Sequence, residues 1–278
     1  KTDSHQNLYL VSKTGKCACI AVQSLPLVED PDKGAEHFRV SSLPETDIPI
    51  TVFCVSPDQG KSESQCVTTL TLQGMIKKSL ICELPGPSSD LFILCKVNDE
   101  DELGWAFTGE QETNYLIITQ NGMSIRFDGM DVRAMGLVAA GVNALKLAAS
   151  DISAGIVELS KGVEAFAVSS DGKGWRIEEE QFPLQGRYGQ GVNTCKLKPG
   201  SVIVGLATGK KNTQIALHLK KGAAKLIRLN EIPTGKRATS GKTLLDLKPG
   251  DEINRIVAVM DNITLAAAPK NLVQKSLL

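Results

Sequence analysis

The chain repeats itself about every 50 residues, and that period limits its fold more than any other feature. The clearest copy lies between Thr119 and Asp131, TQNGMSIRFDGMD, where Asn121-Gly122 separates two apolar, strand-like runs. Asn-Gly is the pair favoured by a two-residue type I′ hairpin, whose central residues both take positive φ. Turns of the same kind are expected at Thr14-Gly15, Gln73-Gly74, Asp171-Gly172 and Lys221-Gly222, which sets the successive glycines 59, 48, 50 and 50 residues apart. A sixth hairpin is expected around Pro269-Lys270-Asn271, 49 residues after Gly222, with Ile263 to Ala267 before it and Leu272 to Leu278 after it.

Each period has a second half: a loop, an apolar run such as Gly141 to Leu147 or Gly191 to Leu197, a short turn, and a further strand such as Val202 to Ala207 or Ile253 to Val259. Four strands per period make a blade, so the pattern predicts an all-β, six-bladed, propeller-like array in a single domain over 1–278. The repeats fall at about 5–63, 64–112, 113–161, 162–211, 212–261 and a partial 262–278, with the sixth blade built from the terminal strands. Closing the ring would then need the terminal hairpin to pair near the first repeat and cover its strand edges. Val132 to Ala149 is rich in alanine, but Gly136 and Gly141 interrupt it where other repeats have loop and strand, so it is read as loop plus strand. The first repeat is longer by an insertion at Leu27 to Glu36, expected to be a solvated loop.

Of the 278 residues, 42% are hydrophobic and 22% charged, enough to bury a core and too apolar for disorder. No run approaches the roughly 18 apolar residues of a membrane span, and the N-terminus lacks a basic-then-apolar leader pattern; a cytoplasmic protein is expected. The first residue is Lys, so the chain is expected to be a piece of a longer one. Cysteines at 17, 19, 54, 66, 82, 95 and 195 form no C-x-x-C pair, and His5, His37 and His218 are scattered, so reduced core thiols are expected and no metal site. The net charge is zero, but residues 205–278 hold 13 Lys/Arg against 5 Asp/Glu, and the first 204 hold 18 against 26. The basic end is the candidate for a polyanionic partner.

Ile125-Arg126-Phe127, then Asp131-Val132-Arg133-Ala134-Met135-Gly136, then Ala140-Gly141-Val142 resemble a blade of the C-terminal domain of the DNA gyrase and topoisomerase IV A-subunit family. Gln181-Phe182-Pro183 with Gly186 to Val192, and Glu231-Ile232-Pro233 with Gly235 to Gly241, echo it in the next two repeats. The resemblance extends over essentially the whole chain. It implies a β-pinwheel that binds and wraps double-stranded DNA, without catalysis or cofactor of its own. The implied partners are the remainder of the A subunit and its ATPase partner subunit, and the implied location is the nucleoid. The DNA-cleaving tyrosine of that family lies in another domain, so Tyr9, Tyr115 and Tyr188 are not assigned that role.

Cations repeated along one edge of a ring make a curved track on which phosphates replace their counterions, and those contacts offset the elastic cost of bending a duplex. The candidates are Lys77 and Lys78 in the second repeat, Arg126 and Arg133 in the third, and Lys173, Arg176 and Arg187 in the fourth. Lys220, Lys221, Lys225, Arg228, Lys236, Arg237 and Lys242 crowd the fifth, opposed there only by Glu231. Singly, such residues are ordinary solubilising cations on exposed strands; the fifth-repeat cluster is dense enough to read as a site. The family signature Q-R-R-G-G-K-G has no intact copy. Its nearest match, Gln185 to Gly191, keeps Gln185, Arg187, Gly189 and Gly191. Either the intact motif precedes this chain or the chain wraps DNA weakly, and the acidic runs Asp99 to Glu102 and Glu178 to Glu180 would interrupt a continuous DNA path.

Enzymatic readings find little support. Gly235 to Thr243, GKRATSGKT, has five residues between its glycines where a phosphate loop needs four, and Gly186, Gly189 and Gly191 lack dinucleotide-site spacing. Acidic runs fall in turns, where carboxylates are solvated. Trp105 and Trp175 could stack on bases, but they lie in apolar runs that favour packing. The sequence therefore reads as a DNA-binding, DNA-wrapping module, with a protein-interaction scaffold as the rival.

Overall fold

The repeat survives in the structure, a computed structural model that describes residues 2–30, 33–88, 90–209 and 212–259, but its strands are shared differently from the expectation. The first repeat supplies β1 (Asn7–Ser12), β2 (Lys16–Ala21) and β3 (Pro49–Val55). The second supplies β4 (Gln65–Thr71), β5 (Met75–Leu80), β6 (Phe92–Ile93) and β7 (Leu103–Glu110). The third supplies β8 (Asn114–Thr119), β9 (Met123–Asp128), β10 (Val142–Asn143) and β11 (Ser153–Glu158). From the fourth come β12 (Glu164–Ser169), β13 (Lys173–Glu178), β14 (Leu184–Gln185), β15 (Val192–Asn193) and β16 (Ile203–Gly209). The fifth gives β17 (Gln214–Leu219), β18 (Lys225–Arg228), β19 (Thr234–Gly235), β20 (Lys242–Thr243) and β21 (Ile253–Val259). A short 3-10 turn follows each hairpin, and one helical turn, His37–Val40, lies beyond the first-repeat insertion.

Blades are not built from one repeat each. The sheets run β3-β1-β2-β6, β7-β4-β5-β10, β11-β8-β9-β14 with β15 also on β9, and β16-β12-β13-β19 with β20 also on β13. The outermost strand of every one of these four blades is therefore donated by the following repeat, which closes an edge that would otherwise carry unpaired backbone groups. The fifth sheet, β18-β17-β21, has no donor among the described residues. The expected six blades are thus corrected to five, and the hairpin at Pro269-Lys270-Asn271 lies outside the described residues.

The turn chemistry is also corrected. Gly122 has φ of +81°, but Asn121 is not among the residues with positive φ, so the turn is not type I′. Gly122 N–H donates to Thr119 O at 3.0 Å, the three-residue form in which an ordinary turn ends in a left-handed residue. The glycine is required twice. Its carbonyl accepts from Thr194 and Cys195 N–H of the donated segment at 2.9 and 3.0 Å, and a Cβ on Gly122 would stand 2.5 Å from Cys195 O. Gly15, Gly74 and Gly172 repeat the conformation at +81° to +82°. Gly222, whose blade has no donor among the described residues, does not.

The core lies between blades. Inner strands β3, β7, β11, β16 and β21 pack side by side in chain order, with Tyr9, Phe53 and Leu103 in one inter-blade cluster and Ile117, Phe127 and Ile156 in another. A backbone bond ties each blade to the one before: Leu103 N to Lys13 O, Ser153 N to Leu72 O, Ile203 N to Gln120 O and Ile253 N to Ser170 O, all 2.8 to 3.0 Å. Pro49 stands at the matching place in the first repeat and has no N–H to give. Cys17, Cys19, Cys66, Cys95 and Cys195 are buried free thiols, whereas Cys82 is exposed. Trp175 is buried with its indole N–H on Thr239 O at 2.8 Å, a packing role. No helix among the described residues is long and apolar enough to cross a membrane.

Candidate nucleic-acid interface

Three of the five second hairpin strands carry a cation at the same register, where the other two have Cys19 and Leu226, and the fold turns all three inward. Lys78 on β5 donates to Gln111 O at 2.6 Å and Gly129 O at 2.8 Å. Arg126 on β9 donates to Glu179 O and Phe182 O at 3.3 and 3.2 Å and pairs with the Glu179 carboxylate. Arg176 on β13 donates to Leu229 O and Ile232 O at 3.2 and 3.0 Å and, through Nε and Nη2, to the Glu164 carboxylate at 2.8 and 2.5 Å. Gly129 O, Glu179 O and Leu229 O open the 3-10 turn of the following repeat and already accept its closing N–H, so each cation adds a second donor there, while Phe182 and Ile232 directly follow their turns. These cations are staples between consecutive repeats.

Lys77 is consumed in a related way. Its ammonium donates to Leu94 O at 2.5 Å and Leu137 O at 2.8 Å, only 1% of the residue is exposed, and burial pushes its pKa down to about 8. In the two following blades the carbonyl matching Leu94 O is satisfied by backbone, Tyr188 N on Ala144 O and Ala238 N on Thr194 O, both 2.8 Å. Lys77, Lys78, Arg126 and Arg176 are therefore corrected from rim to interior: alternation of polar and apolar residues signals a solvent face only when the second face of the sheet is wet, and here donated strands and neighbouring blades cover both.

Arg187 and Arg237 sit half-exposed on the rim loops, holding them to the preceding repeat. Arg187 donates to Asp131 O at 3.2 Å and Asn143 O at 2.5 Å; Arg237 donates to Gln181 O and, at 2.9 Å, to Asn193 O. Lys173 reaches Thr243 Oγ1 at 2.6 Å, and Lys220 pairs with Glu252 at 2.7 Å. Arg133, Lys221, Lys225, Arg228, Lys236 and Lys242 are exposed.

The fold adds a row that local charge density does not reveal. Lys96, Lys146 and Lys196 are spaced 50 residues apart, each just past a donated segment, and all three are exposed with no ion-pair partner among the described residues. Backbone bonds fix them in one register: Lys96 N to Ala139 O at 3.2 Å, Lys146 N to Gly189 O at 2.9 Å and Lys196 N to Thr239 O at 2.9 Å. Asp246 takes the next place in the series, and Lys198 and Lys248 flank the last two. The row thus presents a free ammonium at three of the four blade boundaries among the described residues, a spacing that can meet a phosphate backbone repeatedly.

Several acids on the same molecule are already occupied. Asp101 accepts from Gln73 N and Glu102 N at 3.0 and 2.8 Å, Asp151 from Asn121 N and Ile152 N at 3.1 and 3.0 Å, and Asp251 from Lys221 N and Glu252 N at 3.0 and 2.9 Å. They clamp the hairpin turns. Glu102 pairs with Lys13 at 2.8 Å, so part of the acidic run is neutralised. Asp99, Glu100, Glu178 and Glu180 stay exposed.

The family model described as DNA gyrase C-terminal domain, beta-propeller, matches residues 113–152, 164–209 and 220–260, the third to fifth repeats. The DNA gyrase A subunit of Salmonella typhimurium is 27% identical over 186 residues, which is 66% of this chain and 21% of that protein. Its counterpart from Haemophilus influenzae is 28% identical over 152 residues, 54% of this chain and 17% of its own length. The chain therefore spans about a fifth of the curated relatives it matches. Among solved structures, the C-terminal domain of DNA topoisomerase IV superposes with a TM-score of 0.84 at 19% identity, covering 93% of this chain and 80% of that one. The DNA gyrase A C-terminal domain gives 0.76 at 17% identity, covering 93% and 84%.

Proposed function

From the premise that this chain belongs to the family of DNA gyrase C-terminal domains, we propose that it binds duplex DNA along its rim and bends it by sequence-independent phosphate contacts, as a non-catalytic part of a type II topoisomerase A subunit. The observation that carries this reading is the row Lys96, Lys146 and Lys196, one unpaired cation at the same register in successive blades. Lys236 and Lys242 extend the basic surface into the fifth repeat, and Arg133, Lys173, Lys221, Lys225 and Arg228 are secondary candidates. Arg187 and Arg237 act by fixing the loops that carry the row. In the parent protein the domain would work beside the remainder of the A subunit and its ATPase partner, at the nucleoid.

Phosphate contacts position a duplex without reading its bases, so the test is a mobility assay on two unrelated duplexes across a salt series. The reading expects similar affinity for both and a steep fall with salt. One observation favours a second reading: β18 is an edge strand without a donor among the described residues, and Leu226 on it is 64% exposed, which suits a scaffold that accepts a strand from another protein. Absent or salt-independent duplex binding at low salt would select that scaffold.

A further inference from the structure

Tyr188 stands on the rim in a conformation that disfavours any side chain, and the fold makes no visible use of its ring. Its φ is +66°, the left-handed region where a Cβ crowds the backbone. The residue is 51% exposed, and its phenol and ring have no hydrogen bond or aromatic partner among the described residues. The backbone beneath it is fixed from three sides: Tyr188 N on Ala144 O at 2.8 Å, Gly189 O accepting from Lys146 N at 2.9 Å, and Arg187 on Asn143 O at 2.5 Å. The exposed ring is therefore carried by an anchored loop whose next residue, Gly189, is bonded to the backbone of the middle lysine of the row. The matching places carry Val138 one repeat earlier and Ala238 one repeat later, both exposed, so the bulk is particular to this blade boundary.

We propose that Tyr188 sets the rotational position of a duplex lying on this rim, by occupying its minor groove and packing against deoxyribose edges. The inference rests on the DNA-binding reading above. Lysines hold a phosphate backbone as point charges on flexible stems and tolerate rotation of the helix about its axis. A ring carried on an anchored loop in the same register does not: it clashes with a backbone ridge and fits only where a groove faces inward. The minor groove of B-DNA is about 6 Å wide, a fit for one aromatic ring edge. Contact with sugars adds affinity without displacing counterions, so it leaves the salt slope untouched.

The experiment compares the wild-type chain with Tyr188→Gly, Tyr188→Phe and Lys146→Ala on an A·T-rich duplex, with and without netropsin, which fills the minor groove. Glycine adopts φ of +66° without strain, so Tyr188→Gly keeps the loop. It is expected to bind about fivefold more weakly (~1 kcal/mol) at every salt concentration with an unchanged salt slope, and Tyr188→Phe to bind like wild type. Netropsin should weaken wild type and Lys146→Ala more than it weakens Tyr188→Gly, while Lys146→Ala alone should lower the salt slope by about 1. Equal binding by Tyr188→Gly and wild type, or equal sensitivity of the two to netropsin, overturns the inference and leaves the DNA reading standing. A fall in salt slope in Tyr188→Gly overturns it too, since the ring would then be acting through the cations. No duplex binding by the wild type removes both.

Discussion

Replacing Arg126 by Ala tests whether the inward cations are staples between repeats. Arg126 and Glu179 are a nearly buried pair, with side chains 12% and 8% exposed, and the same guanidinium satisfies Glu179 O and Phe182 O. Truncation leaves a buried carboxylate without its partner, a loss of about 3–5 kcal/mol, and removes a donor from Glu179 O and Phe182 O at the following 3-10 turn. Because the blades form a quasi-linear array, the loss should fall mainly on one boundary and only partly on global unfolding. Native-state hydrogen exchange is therefore the assay. At about 1.4 kcal/mol per tenfold, amide protection around 179–182 should drop by two to three orders of magnitude, while protection in β1 and β2 is unchanged. Arg126→Met with Glu179→Gln removes both charges and should recover much of the loss. The staple reasoning fails if Arg126→Ala leaves protection at 179–182 intact and instead lowers the salt slope of DNA binding, the behaviour of a phosphate ligand.

Three further outcomes follow from other parts of the fold. Lys77 has its pKa lowered by burial to about 8 from an ordinary 10.5, so between those values the unfolded chain binds more protons than the folded one, and stability should rise with pH through that window. In Lys77→Met, that rise in a urea titration repeated from about pH 7.5 to 10.5 should be absent. Gly122→Ala must hold φ of +81° and push against Cys195 O, costing at least about 1–2 kcal/mol; exchange at the Thr194 and Cys195 amides should report it first. Replacing Lys236 and Lys242 together with Ala should weaken duplex binding and flatten its salt dependence, whereas Lys77→Met should leave the slope unchanged, as a mobility assay on folded protein can check.

The period was legible because its punctuation is local. A left-handed glycine after a short turn is needed in each hairpin that receives a donated strand, and it recurs at Gly15, Gly74, Gly122 and Gly172. The sharing of strands was not legible. Gly141 to Leu147 and Gly191 to Leu197 read as strands of their own repeats, and only spatial pairing of Val142-Asn143 with β5 and of Val192-Asn193 with β9 places them in the preceding blades. For the same reason the side assigned to Lys78, Arg126 and Arg176 went astray: Ile125 and Phe127 flank Arg126 as a core face should, but the opposite face is covered as well. The lysine row was present in the sequence at the period already identified. A search for dense charge found the fifth-repeat cluster instead, and looking for charge at fixed register would have found Lys96, Lys146 and Lys196.

In this account the DNA track is one row of unpaired cations, Lys96, Lys146 and Lys196, at the same place in three successive blade boundaries. Its most direct test is the salt slope of duplex binding for the wild-type chain and for Lys96→Ala, Lys146→Ala and Lys196→Ala combined. Three lost phosphate contacts should reduce the slope of log K against log salt by about 2.7, at roughly 0.9 per phosphate, with the thermal stability of the exposed-site variant unchanged. A variant that binds with the wild-type slope would contradict the account.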